Sequence, residues 1–227
     1  ELSYEIERWA STTDGAYVWV KVPQVNGTST SDSIYMYYGN ASAADAQNAT
    51  SVWSNGYETV WHLKEVPDNS ANQIKDSTAN AHHGQSLSTP TQVAGQIGKA
   101  ISFDGTQEIN APDSANWTVS SSKITWEAWA KSSDTLYDIL VQSTSNTFPE
   151  MYLAYSDPSF LVYYHNGTDA TNILSYSSTV GSSNAWYHIA VVRDDTDSNG
   201  VNDETTIYLN GSSTGVTDRN ATDVFPN

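Results

Sequence analysis

"KITWEAWAK", residues 123–131, decides the fold class, because its side chains alternate with period two. In an extended chain Trp126 and Ala128 fall on one face and Glu127 and Trp129 on the other, the pattern of a strand with one side against a core. Runs of the same kind lie on either side of it. Towards the N-terminus they are "YEIERWA" (4–10), "AYVWVKV" (16–22), "SIYMYYG" (33–39), "YETVWHLKE" (57–65), "KAISFDG" (99–105) and "QEINAP" (107–112). Towards the C-terminus they are "DILVQS" (138–143), "MYLAYS" (151–156), "SFLVYYHNG" (159–167), "ILSYSS" (173–178), "WYHIAVVRD" (186–194) and "TTIYLNGSS" (205–213). β-branched and aromatic residues crowd these runs, with Gly, Asn, Ser and Asp between them. No long segment of period 3.6 competes, although the Ala spacing of "NASAADAQNATSVW" (40–53) suits a short helix or a surface loop. Short strands at regular spacing predict an all-β sandwich, with a domain junction near Asn55-Gly56.

Composition narrows the partners. The apolar fraction is only 38%, yet the 227 residues include 8 Trp and 14 Tyr, and such rings build a core from few side chains. Acidic residues number 26 against 9 basic ones, a net charge of −17. That balance argues against nucleic acid and anionic membrane surfaces as partners, since both call for Lys and Arg. It suits an extracellular or high-salt setting and a chain that takes up cations. Cysteine is absent, which removes disulfides and thiol chemistry but is compatible with secretion. No apolar run approaches the length of a membrane-spanning helix, so no membrane insertion is expected. The opening "ELSYEIERWA" alternates like a strand and lacks the pattern of a signal peptide, which suits a mature fragment cut from something longer.

The ordered series "VWHLKE", "DSTANAHHG", "GKAISFDGTQEINAP", "KITWEAWAK", "AWYHIAVVRD" and "TIYLNGSSTG" resembles the laminin-G-like, concanavalin A-like jelly-roll domains of prokaryotic surface proteins. The resemblance runs from Tyr57 to the C-terminus. The preceding part, with "YEIERWASTTDGAYVWVKVPQ" and "SIYMYYGNASAADAQN", resembles the small β domain of unknown function DUF2341. The resemblance therefore implies a concanavalin A-like jelly roll over residues 57–227, preceded by a small β domain over 1–56. The family pattern continues past "DVFPN" and begins ahead of residue 1. Edge strands would then be left open, or completed by other chains through self-association.

"DDTDSNGVNDE" (194–204) concentrates five acidic side chains. On a calcium-loop template Asp195 takes position 1, Asp197 position 3, Asn199 position 5, Gly200 the turn, Val201 the carbonyl position 7 and Asp203 position 9. Calcium requires six to eight oxygens, which alternating short acids gather around one point. Thr206 stands where a helix-loop-helix site has its bidentate Glu, and both flanks read as strands. The stretch is thus read as a Ca2+-clamped hairpin tip, with Glu204 or Asp194 completing the shell. A solvated turn with no cation is the competing reading.

Other candidates are weaker. His82 and His83 point apart on a strand and lack a third ligand, so they read as a polar loop. The resemblance implies that Asp76 and Asp104 pin turns, with a share in a second, structural cation site as the alternative for Asp76. Glu5 and Glu7 have the i, i+2 spacing of a retaining glycosidase pair but occupy an ordinary alternating strand. With no nucleophile elbow either, the chain is expected to be non-catalytic. Trp117, Tyr155, Tyr163, Tyr164, His165 and Asn166 have the chemistry to stack on and hydrogen-bond a sugar. Glycosylation sequons begin at Asn26, Asn40, Asn48, Asn116, Asn166, Asn210 and Asn220. The expected role is a secreted or cell-surface lectin-like module, its partner an extracellular glycan or a cell-surface protein. The alternatives are a structural subunit of a filament, sheath or pilus built by strand exchange, and an accessory module of a polysaccharide-degrading enzyme.

Overall fold

The alternation of residues 123–131 is realised as the strand Ile124–Ala130, in which Thr125, Glu127 and Trp129 are exposed and the residues between them half-buried. The computed structural model describes residues 1–10, 15–28, 30–117, 123–133, 137–142, 151–156, 159–165, 173–179, 183–194 and 204–217. Its contacts divide the chain into two units, Glu1–Asp113 and Ser114–Asn227. The expected junction at residues 55–56 falls inside the first unit. His62, on the far side of it, bonds Glu5 and Glu7 on the near side, and Ser77 hydrogen-bonds Glu5.

The first unit is built from small pieces. Strands β1 (Tyr4–Arg8) and β2 (Tyr17–Val20) pair antiparallel, with a register shift between Ile6 and Arg8. Helix α1 (Ala49–Val52) is one turn, capped by the Asn48 side chain accepting from the Ser51 N–H. Strands β3 (Gln85–Leu87), β4 (Thr91–Ala94), β5 (Lys99–Ser102) and β6 (Glu108–Asn110) form two ribbons, β3 with β6 and β4 with β5. Two expected strands differ. The run 57–65 makes only a bridge between Trp61 and Asp76, because Leu63 sits at φ 57°, a left-handed turn that ends an extended run. The run 33–39 joins no strand, and Ile34, Tyr35, Met36, Tyr37 and Tyr38 are all exposed, Tyr37 to 94%.

The second unit is an all-β sandwich. After a 3-10 turn (Ala115–Trp117) come β7 (Ile124–Ala130), β8 (Tyr137–Gln142), β9 (Met151–Ser156), β10 (Ser159–His165), β11 (Ile173–Thr179), β12 (Tyr187–Asp194), β13 (Glu204–Leu209) and β14 (Ser212–Thr217). They form two antiparallel sheets, ordered β11-β10-β9-β8 and β14-β13-β12-β7. One core joins them: Leu153, Tyr155, Phe160 and Val162 from the first sheet meet Ile189, Val191 and Ile207 from the second. Tyr155 and Phe160 pack as tilted rings 5.0 Å apart, and Tyr187 closes edge-on against Phe160. The run 205–213, read as one strand, is broken by Asn210 and Gly211, at φ 49° and 81°. Two consecutive left-handed residues make the tight turn of a hairpin, which Asn-Gly favours.

Removing the central ring tests the sandwich. Phe160→Ala is expected to lower unit-2 stability by about 3–5 kcal/mol and Ile207→Val by about 0.5–1.5 kcal/mol, since each leaves a cavity scaled to the atoms lost. Urea unfolding followed by tryptophan fluorescence measures both. Equal losses would refute a core centred on that ring.

Candidate functional site

The solvent face of the β14-β13-β12-β7 sheet carries the candidate binding site. Period two sends Trp126 towards the core and therefore Glu127 and Trp129 outward. Trp129 is 42% exposed, large for an indole on an ordered strand. Register sets His188 of β12 directly opposite Trp129, and the two rings lie 5.2 Å apart. The His188 Nε2 is 3.7 Å from Glu127 Oε2. Asn210, in the turn after β13, donates its N–H to the His188 carbonyl at 2.8 Å and accepts the His188 N–H on Oδ1 at 3.0 Å. An apolar ring, an imidazole and a carboxylate are thus presented side by side on a rigid sheet.

The residues proposed from sequence as sugar contacts fare differently. Tyr155 is a core residue, 1% exposed, so its ring packs the sandwich and reaches no ligand. Trp117 is half-buried, and its carbonyl accepts a hydrogen bond from Gln142. Tyr163, Tyr164 and His165 lie on β10, their backbones paired with β11, and Asn166 lies outside the described residues. Trp129 and His188 were not singled out, although the alternation that put Trp126 inside already placed Trp129 outside.

Of the acidic hairpin, Asp195, Asp197, Asn199, Gly200, Val201 and Asp203 lie outside the described residues. Its base is described: β12 and β13 are antiparallel up to Asp194 opposite Glu204, so the flanks are strands and not helices. Like charges directly opposite destabilise a sheet, and Lys123 relieves this pair by an ion pair to Asp194. Asp194 is therefore engaged by Lys123. Among the described residues no group of three or more potential metal ligands is gathered.

The first unit holds a different arrangement. Glu5 and Glu7 lie on the buried side of β1, and the His62 ring sits between them. Its Nδ1 is 2.8 Å from Glu7 Oε2 and its Nε2 is 3.1 Å from Glu5 Oε2. Two carboxylates facing both ring nitrogens require both to donate, so the ring is an imidazolium. Burial alone would push His62 down, but its bonds to Glu5 and Glu7 and their charges raise it from 6.5 to about 9. Burial would likewise raise Glu5, but bonds from His62, Trp53 and Ser77 and the His62 charge lower it from 4.5 to about 2. Trp53 Nε1 donates to Glu5 at 2.7 Å, Ser77 Oγ at 2.8 Å and Lys64 Nζ at 3.3 Å, while Trp19 Nε1 donates to Glu7 at 3.3 Å. Glu7 Oε1 is buried without a hydrogen-bond partner. Gly98 lies against it at φ 71°, where a Cβ would come within 2.8 Å of Oε1. The i, i+2 carboxylates are thus filled by an imidazolium and closed to solvent, unlike a pair that must flank a glycosidic bond.

Asp76 and Asp104 are turn pins, as expected. Asp76 accepts the N–H groups of Val60, Thr78 and His82 at 2.9 Å each and the Thr78 hydroxyl at 2.8 Å. Burial opposes ionisation there, but these donors hold the carboxyl below its ordinary range. Asp104 is lowered by the Thr106 hydroxyl and N–H. The sequon asparagines 26, 40, 48, 116 and 210 are exposed, and 166 and 220 lie outside the described residues.

The geometry defines a two-unit β protein whose C-terminal half is a lectin-type sandwich with an aromatic patch on its outer face. The chain belongs to two families, whose matches overlap over residues 103–120: residues 1–120 match the domain of unknown function DUF2341, and residues 103–227 match the concanavalin A-like lectin/glucanases superfamily. The fold is similar to that of a solved structure, the binding domain of Paraclostridial Mosquitocidal Protein 1. The TM-score is 0.53 and the identity 17%, over 73% of this chain and 42% of that one. No curated protein matches the sequence. Among the described residues no helix is long and apolar enough to cross a membrane.

The His62 cluster predicts a pH optimum of stability. A pKa raised on folding stabilises fully below 6.5 and is lost as pH rises through about 9. A lowered one stabilises above 4.5 and is lost as pH falls through about 2. The first unit should therefore melt highest between 4.5 and 6.5 and decline steadily towards pH 9. His62→Ala should remove the alkaline decline and cost about 3–5 kcal/mol, as when one partner of a buried ion pair is deleted. Calorimetry across this range decides it; an alkaline limb surviving in His62→Ala would contradict the assignment.

Proposed function

We propose that this chain is a non-catalytic, lectin-like module, secreted or displayed on a cell surface, that binds extracellular carbohydrate through the outer face of its C-terminal sandwich. The observation that carries this reading is the half-exposed Trp129 beside His188 and Glu127. The C–H face of a sugar packs on an indole, while a carboxylate and an imidazole take its hydroxyls. The net charge of −17 favours a neutral glycan over an anionic one. A calcium ion held by Asp195, Asp197, Asn199, the Val201 carbonyl, Asp203 and Glu204 would stiffen the tip of the β12–β13 hairpin. Support for it comes from the acidic spacing and from the antiparallel base with Asp194 and Glu204 in register.

Glycan-array binding by the full chain tests the sugar reading. Trp129→Ala is expected to weaken binding about ten-fold or more, the loss of one stacked ring and the water it excludes. Undiminished binding in that variant would move the site elsewhere. Calcium is tested separately: titration should raise the melting temperature of the wild type and leave Asp197→Ala unchanged, and no shift in either would reduce the loop to an acidic turn.

A second reading, a structural subunit assembled by strand addition, is favoured by residues 34–38. Five consecutive exposed apolar residues in an unpaired segment are the form of a strand awaiting a neighbour. Ordered polymers forming without any sugar, and abolished by Tyr37→Pro, would select this reading.

A further inference from the structure

The first unit contains a concave site whose lining shares no residue with the Glu5–His62–Glu7 cluster. It is a half-open cleft of about 410 Å³ with four polar side chains, Asn72, His83, Gln85 and Asn110, and an apolar wall of Ala71, Ala111 and Pro112. That volume lies within the range of sites that hold small ligands, about 300–1,000 Å³.

Its polar groups are held in place by the fold. The backbone N–H of Asp76 donates to His83 Nδ1 at 3.0 Å, so the ring proton sits on Nε2 and that nitrogen is a donor. Asp76 itself is held by its four bonds to the surrounding turn, which keeps this N–H aimed. Behind His83, Ile74 and Gly84 exchange both backbone hydrogen bonds, at 3.0 and 2.8 Å. Gly84 is required there, because a Cβ would meet Ile109 Cγ2 at 2.8 Å. This close approach seats β3 on β6 with Gln85 directly opposite Asn110. Gln85 donates its amide to the Asn69 carbonyl at 2.7 Å and Asn110 donates to Glu108 Oε1 at 3.1 Å. Their amide oxygens remain as acceptors. Asn72, at φ 59°, is exposed at the rim with a full amide to offer.

The lining carries no Lys, Arg, Asp or Glu, in a chain with 26 acidic residues. The two charges at its edge, Lys75 bonded to the Asn72 carbonyl and Glu108 bonded to the Asn110 amide, oppose each other, so the cleft has no net charge with which to select a charged ligand. A ligand with hydroxyls, each able both to donate and to accept, matches one imidazole donor and a set of amides. A ligand with C–H faces matches the two alanine methyls and the proline ring. We infer that this cleft is a binding site for a neutral saccharide unit, a hexose, pentose or N-acetylhexosamine, which would give the chain two sugar sites in separate units. This inference stands on the cleft alone and does not depend on Trp129.

The test uses the full chain carrying Trp129→Ala, so that the outer face of the sandwich is silenced. Saturation-transfer NMR is recorded with glucose, galactose, mannose, xylose, N-acetylglucosamine and glucuronate. Transfer to at least one neutral sugar and none to glucuronate is expected. Adding Ala71→Trp, a substitution at an exposed position that fills the cleft, should abolish it. Adding Asn72→Gly, which suits the left-handed backbone and removes only the amide, should weaken affinity about ten-fold, the loss of hydrogen bonds to a bound ligand. Circular dichroism confirms that each variant is folded. Absence of transfer to every neutral sugar, transfer unaffected by Ala71→Trp, or equal transfer to glucuronate would each overturn the inference. Loss of array binding in Trp129→Ala alone, with transfer retained here, would leave the cleft standing; the reverse result would leave only the sandwich site.

Discussion

The first unit depends on one buried charge arrangement: an imidazolium between two glutamates. Few of its residues are fully buried and apolar, Val52, Ile74 and Ile101 chief among them, and its strands are only three to five residues long. Such pieces bury too little apolar surface to hold one another by the hydrophobic effect alone. His62 supplies a different fastening, because one ring ties the 57–65 segment to β1 while Trp53 ties the end of α1 to the same strand and Trp19 holds β2. The indoles also wall the ions from water: Trp19 and Trp53 lie 5.2 Å apart and each lies within 6 Å of His62. Low dielectric strengthens the ion pairs and makes the loss of any one partner costly. It also explains Gly98, whose missing side chain leaves room for the Glu7 carboxylate.

The second unit solves the same problem in the ordinary way. Aromatic and branched residues from both sheets interdigitate, and hydrogen-bonded ladders satisfy the backbone. That core takes in Trp126 from the inner face of β7, while Trp129 on the outer face of the same strand stays 42% exposed. The two units thus use rings differently: Trp19 and Trp53 shield charge in the first, Tyr155 and Phe160 fill the core of the second, and Trp129 lies at the surface, as Tyr35, Tyr37 and Tyr38 do in the first. In both units the polar groups that face solvent are positioned by backbone registers, His188 by its pairing with Trp129 and His83 by the Asp76 amide.

Much of the sandwich was legible in the residues. Strands β7, β9, β10 and β12 fall where alternation and β-branched runs place them, and the resemblance to concanavalin A-like domains holds over residues 103–227. The first unit was harder to read. Alternation in "YEIER" was visible, but pattern alone assigns the charged face to water, and here the glutamates face inward. The run 57–65 looked like a buried strand because its Val, Trp and Leu are strand formers, yet a left-handed Leu63 and the side-chain bonds of Asp76 shape it as an irregular segment. Strand β3, Gln85-Ser86-Leu87, has no β-branched or aromatic residue and forms because β6 offers it a partner. Tyr155 shows the limit for sites: an aromatic's type says that it stacks, and only its partner says on what.

By itself, the sequence determined the all-β class, the strands that flank the acidic loop and the absence of thiol chemistry. These follow from period, composition and neighbours within a few residues, which the order of the chain encodes directly. Tertiary structure alone decided that the first unit extends to Asp113, that Glu5, Glu7 and His62 form one ionic centre, that Tyr155 is buried in the sandwich core, and that His83 and Asn110 share a cleft. Each of these rests on residues tens of positions apart, brought together by strand pairing. Whether a charge is buried or a ring exposed is set by what packs against it, and local pattern does not carry that information.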